Sequence, residues 1–238
     1  MSFYSDFAES YEEIFPFSPQ TASFLEQWAW PPPARILDIG CGTGHYCGWL
    51  ARRGFEAHGF DLDPEMIRVA RSRYPEADFS CLDMRALTDL EGPFKAVFCI
   101  GNTAAHLTPE ELSAVLGTVR SLLEPGGTWV VQVLNWDFLL TRESFTFPVI
   151  ESPDGTVRFF REYPTISEQG TPFQTRLERE GATVFKDRVT LYPLPTDTFI
   201  ALHEQAGFKC LDHFASYGSA AFDPAVMSPS IFVFKATE

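Results

Sequence analysis

Apolar residues fall in short blocks set apart by polar, glycine-bearing or proline-bearing stretches, and the spacing inside the blocks changes along the chain. Phe3, Phe7, Tyr11 and Ile14 or Phe15 recur at helical intervals, which predicts an amphipathic N-terminal helix with an aromatic face to cover. A second helix is predicted over 21–30 and is stopped by Pro31-Pro32-Pro33, which lead into an apolar strand beginning at Ile36. A helix over 43–53, a strand closing at Asp61, a helix running from the Asp63-Pro64 cap to about Arg73, and a strand over 77–81 follow in turn. A fourth strand is predicted over 94–100, Thr108-Pro109-Glu110-Glu111 caps a helix reaching 123, and Gly126-Gly127 turns into a fifth strand over 128–134. Strand and helix alternating in this way predict an α/β fold, a parallel sheet with helices on both faces.

Beyond Asn135 the period shortens to two. Strands are predicted over 145–150, 156–163, 173–179 and 183–192, with turns at Ser152-Pro153-Asp154-Gly155 and Glu180-Gly181. This is an antiparallel β-hairpin insertion. A helix over 196–206, ended by Gly207, and strands over 208–217 and 229–236 complete the chain. These shifts divide the chain into a helical cap over 1–30, a core made of 31–140 and 196–238, and a β-rich insertion over 141–195 expected to cover a substrate.

Composition narrows the function classes. The 238 residues are 45% hydrophobic and 21% charged, an ordinary globular balance for one domain with a sizeable insertion. A net charge of −14 leaves no basic stripe for phosphates, which argues against nucleic acid or an anionic membrane and for a small-molecule partner. Five cysteines, an odd number, read as reduced thiols, and there is no basic-then-apolar leader or run of 18 apolar residues. A cytoplasmic chain, monomeric or homodimeric, is expected. The five histidines lack metal-ligand spacing, so no metal is expected.

The chemistry concentrates at strand ends. The run Ile36-Leu37-Asp38-Ile39-Gly40-Cys41-Gly42-Thr43-Gly44 takes an apolar strand into a turn with three glycines, the residue that accepts positive φ and lets a ligand approach the backbone. Asp61 ends the next strand and suits two ribose hydroxyls, and Asp83 follows the third and suits an exocyclic amine. A capping or solvated-loop role is the alternative for either aspartate. Nicotinamide enzymes space their glycines G-x-G-x-x-G, whereas this turn reads G-x-G-x-G.

Asp38 to Gly44, Asp61 and Asp83 resemble the cofactor motifs of class I S-adenosylmethionine-dependent methyltransferases, over roughly residues 34 to 135. The resemblance implies a Rossmann-like, mostly parallel seven-stranded sheet whose last strand is antiparallel. It implies S-adenosylmethionine as cofactor and S-adenosylhomocysteine as product. It assigns Gly40, Cys41, Gly42 and Gly44 to the methionine side, Asp61 to the ribose, Asp83 and Met84 to the adenine, and Leu62 and Met66 to an apolar wall. Tyr4 and Tyr11 resemble tyrosines that close over the methionine end, and Ile100 and Asn102 lie where the methyl group reacts. There the chain has Gly101-Asn102-Thr103 and then His106-Leu107, with no Pro-Pro-aromatic and no Pro-Cys, which resembles glycine or sarcosine and amino-sugar N-methyltransferases. His106 is the candidate base or positioning group. Asn135, Trp136, Arg158, Arg161 and Tyr163 are candidates for substrate contact. The expected function is in-line methyl transfer to a small molecule, at nitrogen. The alternatives are a non-catalytic cofactor- or partner-binding module and a nucleic-acid methyltransferase.

Overall fold

The computed structural model describes residue 8 and residues 11–237, without the side chains of 88 and 89. Phe3, Tyr4 and Phe7 therefore lie outside the described residues, and the N-terminal helix is seen as α1, Tyr11–Ile14. Helix α2, Pro19–Trp28, begins two residues earlier than its apolar spacing predicts. The reason is a Ser18-Pro19 start, with the Ser18 hydroxyl accepting from the Thr21 N–H and proline at the first helical position.

The core then runs β1 (Arg35–Ile39), α3 (His45–Ala51), β2 (Glu56–Asp61), α4 (Pro64–Arg73), β3 (Asp78–Cys81), β4 (Phe94–Cys99), α5 (Pro109–Leu122) and β5 (Leu123–Leu134). A short helix α6, Trp136–Leu139, leads into the insertion strands β6 (Phe145–Thr146), β7 (Ile150–Glu151), β8 (Val157–Tyr163), β9 (Thr171–Arg179) and β10 (Ala182–Leu191). Helix α7 (Thr196–Gln205), β11 (Phe208–Phe214) and β12 (Pro229–Ala236) return to the core. Asp63 caps α4, and Thr108 with Glu111 forms a reciprocal capping box on α5, both as their spacing predicts.

Seven strands form the main sheet in the order β11-β12-β5-β4-β1-β2-β3. The pairs from β3 across to β5 are parallel, and β12 runs antiparallel to both of its neighbours. Successive residues of the central strands pack to opposite faces. Ile36, Ala96, Phe98 and Val130 meet Phe24, Leu25, Leu50 and Ile67 of α2, α3 and α4 on one side. Leu37, Val97, Cys99 and Val131 meet Leu112, Leu116 and Val119 of α5 and Phe199 of α7 on the other. Burial on both faces explains why these strands read as near-continuous apolar runs.

The insertion makes a separate antiparallel sheet, β10-β9-β8-β6, with β7 also on β8. The strand expected over 145–150 is two short pieces, and Pro148 lies between them, where a ladder N–H would be missing. Two apolar seams fasten this sheet to the core. Val157, Phe159 and Leu177 pack with Ile14 of α1 and Met66 and Val69 of α4. Tyr163 and Leu191 pack with Trp136 and Leu139 of α6. Among the described residues no helix is long and apolar enough to cross a membrane.

The turn into α3 is closely packed. Gly44 caps α3 with φ +80°, and a Cβ there would lie 2.5 Å from the Phe79 ring of β3 and 3.0 Å from Ala70 of α4. Overpacking together with the left-handed backbone predicts that Gly44→Ala destabilises the fold by about 1–3 kcal/mol, read as a lower midpoint in urea unfolding.

Candidate cofactor site

A cavity of about 630 Å³ opens beyond the carboxyl ends of the parallel strands, the place where open α/β sheets bind ligands. Tyr11, Gly40, Cys41, Gly42, Asp61 and Leu62 line it, and so do Met66, Asp83, Met84, Ile100 and His106. Eleven residues predicted from sequence therefore meet around one space.

The turn after β1 is built by hydrogen bonds onto the next strand. The N–H groups of Gly40 and Cys41 donate to the Phe60 carbonyl at 2.8 and 3.0 Å, and the Gly42 N–H donates to Asp61 Oδ2 at 2.9 Å. Asp61 Oδ1 accepts from the Asp63 N–H at 2.9 Å. Both oxygens are thus oriented by backbone donors, and each keeps a lone pair for a further donor.

The three glycines do different work. Gly40, at φ +74°, would drive a Cβ to 2.6 Å from Thr103 in the loop after β4, and Gly44 is pressed against Phe79. Gly42, at φ +56°, faces the cavity across from the Tyr11 ring, 3.5 Å from its would-be Cβ. Close backbone approach of a ligand thus concerns Gly42, while Gly44 does not line the cavity.

Negative charge dominates the walls. Asp38 is buried, and among the described residues Oδ1 has no hydrogen-bond partner and only the Cys47 thiol, at 3.8 Å, donates to Oδ2. Burial and then the neighbouring Asp61 push its carboxyl up to about 7. Asp61 is also raised by burial, against the lowering effect of its two N–H donors. Asp83 is held low by Arg85, whose guanidinium forks onto it at 2.7–3.1 Å, so most of its acceptor capacity is already used. Burial keeps His45 and His106 below the ordinary histidine range.

The cavity is also lined by groups that sequence spacing did not single out: Thr21 from α2, His45 and Tyr46 from α3, Gln132 from β5, and Tyr217 from the loop after β11. His45 Nδ1 is buried without a partner. Gln132 accepts from the Gly101 N–H at 2.7 Å and donates to the Val133 carbonyl at 2.9 Å. His45 and Tyr46 follow the glycine turn directly and were findable from it. Tyr217, lying over 170 residues on, carried no such signal.

Six other predicted residues are engaged elsewhere. Asn102 sits at φ +65° and accepts from the Leu134 N–H, joining the β4 loop to β5. Asn135 caps α6 and donates to the carbonyls of Asp223 and Val226. Trp136 stacks on Tyr163, Arg158 pairs with Glu151, and Arg161 donates to the Pro148 carbonyl over the Phe147 ring. These five expected substrate contacts do not line the cavity: Asn135 ties α6 to the 223–226 segment, and the other four bond or pack within the insertion sheet and onto α6. Tyr4 lies outside the described residues. Among the described residues no three His, Cys, Asp or Glu side chains come together to hold a metal ion, and all five cysteines are free thiols.

Comparison with known proteins follows this geometry. Residues 36–127 match the methyltransferase domain family. A ubiquinone biosynthesis O-methyltransferase of Xanthomonas campestris is 38% identical over 110 residues, 44% of each chain. A dTDP-3-amino-3,4,6-trideoxy-alpha-D-glucopyranose N,N-dimethyltransferase of Streptomyces venezuelae is 34% identical over 103 residues, 43% of each. The chain spans about half the length of the curated relatives it matches. Among solved structures, the CcbJ methyltransferase of Streptomyces caelestis superposes with a TM-score of 0.84 at 23% identity, over 100% of this chain and 99% of that one. Residues 36–127 thus carry a methyltransferase domain, and the chain as a whole has the fold of solved S-adenosylmethionine-dependent methyltransferases such as one from Clostridium acetobutylicum, TM-score 0.81 at 15% identity over 100% of both chains.

Proposed function

We propose that this chain transfers a methyl group from S-adenosylmethionine to a small molecule, with nitrogen as the accepting atom. One observation carries the reading: the glycine turn, Asp61, Met84 and His106 line one cavity together with the polar groups of Thr21, Tyr46, Gln132 and Tyr217. The residues fit the cofactor. The unpartnered, buried Asp38 oxygen, with Asp61 beside it, suits a ligand that carries positive charge, and Leu62, Met66 and Met84 offer apolar surface to an adenine.

When bound, S-adenosylmethionine supplies the activated methyl group. The side chains hold and align. Asp61 takes the ribose hydroxyls on its remaining lone pairs, and Tyr11 covers the methionine end above Gly42. His106, kept neutral by burial, is available to accept a proton from the attacking group. Arg85, forked onto Asp83, is the lone Lys or Arg among the described lining residues. An acceptor carboxylate or phosphate among Thr21, Tyr46, Gln132 and Tyr217 would be buried without a counter-charge, which favours an amine. The net charge of −14 supports a small acceptor over nucleic acid, and the free thiols support a cytoplasmic setting.

Calorimetry with S-adenosylhomocysteine should find Asp61→Ala weakened roughly 10- to 100-fold, the loss of one or two hydrogen bonds to a charged group; equal affinity would sink the site assignment. Release of S-adenosylhomocysteine is expected with amines or amino sugars in an acceptor screen, and turnover confined to alcohols would overturn the choice of nitrogen. Asp38 has a second, acceptor-independent consequence. Its folded carboxyl titrates near 7 against 3.8 in the unfolded chain, so it destabilises the free protein progressively as pH rises from about 4 to about 7. Thermal unfolding of Asp38→Asn should therefore show a stability gain at pH 8 that shrinks towards pH 4, and parallel pH curves would contradict it.

A further inference from the structure

Glu12 lies on α1, and its carboxylate is met by three donors from the core. Thr43 Oγ1 donates to Oε1 at 2.9 Å, the Tyr74 hydroxyl donates to both oxygens at 3.2 and 3.3 Å, and Arg73 pairs with Oε1 at 3.1 Å. Thr43 is the fully buried residue between Gly42 and Gly44. Arg73 and Tyr74 end α4, and the Tyr74 ring packs against α3, occupying the space that a Cβ at Gly48 would need. One carboxylate thus ties α1 to the glycine turn and to the seam between α3 and α4.

The rest of α1 faces the cavity and the insertion sheet. Tyr11 lies over Gly42, Phe15 packs edge-on against Phe159 of β8 at 5.7 Å, and Glu13 pairs with Arg179 of β9 at 3.5 Å. A four-residue helix has no stability of its own, so its place is set by these contacts. Core contacts on Glu12 therefore decide where Tyr11 sits over the glycine turn.

We propose that Glu12 is a positioning residue for cofactor binding, clamping α1 to the glycine turn so that Tyr11 closes over the bound ligand. The proposal rests on the cavity being the S-adenosylmethionine site. Losing the clamp leaves the walls intact and loosens the cover, so the ligand escapes faster while association changes little.

Stopped-flow and calorimetric binding of S-adenosylhomocysteine to the full chain test it. Glu12→Ala should raise Kd roughly tenfold, carried by the dissociation rate. Glu12→Gln, which keeps an acceptor for one hydroxyl but loses the charge facing Arg73, should fall between. Thr43→Val should weaken binding in the same direction, and its effect should shrink in the Glu12→Ala background. Hydrogen exchange of residues 11–15 in the ligand-free chain should quicken in Glu12→Ala while the main-sheet amides stay protected. Faster exchange with unchanged Kd and dissociation rate would make Glu12 merely structural and overturn the proposal, as would no change in either. If the unaltered chain does not bind S-adenosylhomocysteine, the reading of the cavity falls first and takes the role of Glu12 with it; if it binds and Glu12→Ala binds equally, Glu12 alone is refuted.

Discussion

The hydrogen bond from the Gly42 N–H to the Asp61 carboxylate is the interaction on which the site hangs. It closes a fold-back in which three N–H groups of the turn after β1 reach the end of β2: two on the Phe60 carbonyl, one on the side chain beyond it. A chain can bend that sharply within five residues because Gly40, Gly42 and Gly44 all adopt positive φ. The strand register, with Ile39 opposite Phe60, brings the turn and the carboxylate level. The same turn carries Thr43 to Glu12 and presses Gly40 against Thr103, so α1 and the β4 loop take their positions from it.

That turn is also where negative charge is enclosed. Asp38 and Asp61 line one space; burial raises both carboxyls, and the neighbouring Asp61 adds to the rise at Asp38. Carboxyls gathered at this turn repel a pyrophosphate and attract a cation. The G-x-G-x-G spacing and this charge thus make the same choice among nucleotide ligands, one through backbone shape and the other through electrostatics.

The aromatic and basic residues of the insertion serve cohesion. Phe159 meets α1, Tyr163 stacks on Trp136, and Arg158, Arg161 and Arg176 lie over Phe160 or Phe147 rings. Sheet and core meet along two separate seams, one at α1 and one at α6, and Tyr11 of α1 also lines the cavity. Cohesion at the α1 seam is thus linked to the cover of the cofactor site.

Local order along the chain determined the parallel core, the capped helices α4 and α5, the cofactor turn with Asp61 and Met84, and the antiparallel insertion, because periodicity, caps and glycine turns act over a few residues. Ser18-Pro19 was legible by the same rule that found Asp63-Pro64, since both put a capping side chain before proline. Tertiary structure decided what no spacing encodes. Asn102, Asn135, Arg158 and Arg161 turned from the cavity because nearer carbonyls, carboxylates and rings satisfied them. Tyr217 and Gln132 reached it because β5 and the β11 loop converge on the strand-end opening. Short-range chemistry is written in order along the chain; which distant side chains share one enclosed space depends on how the sheet and its insertion close.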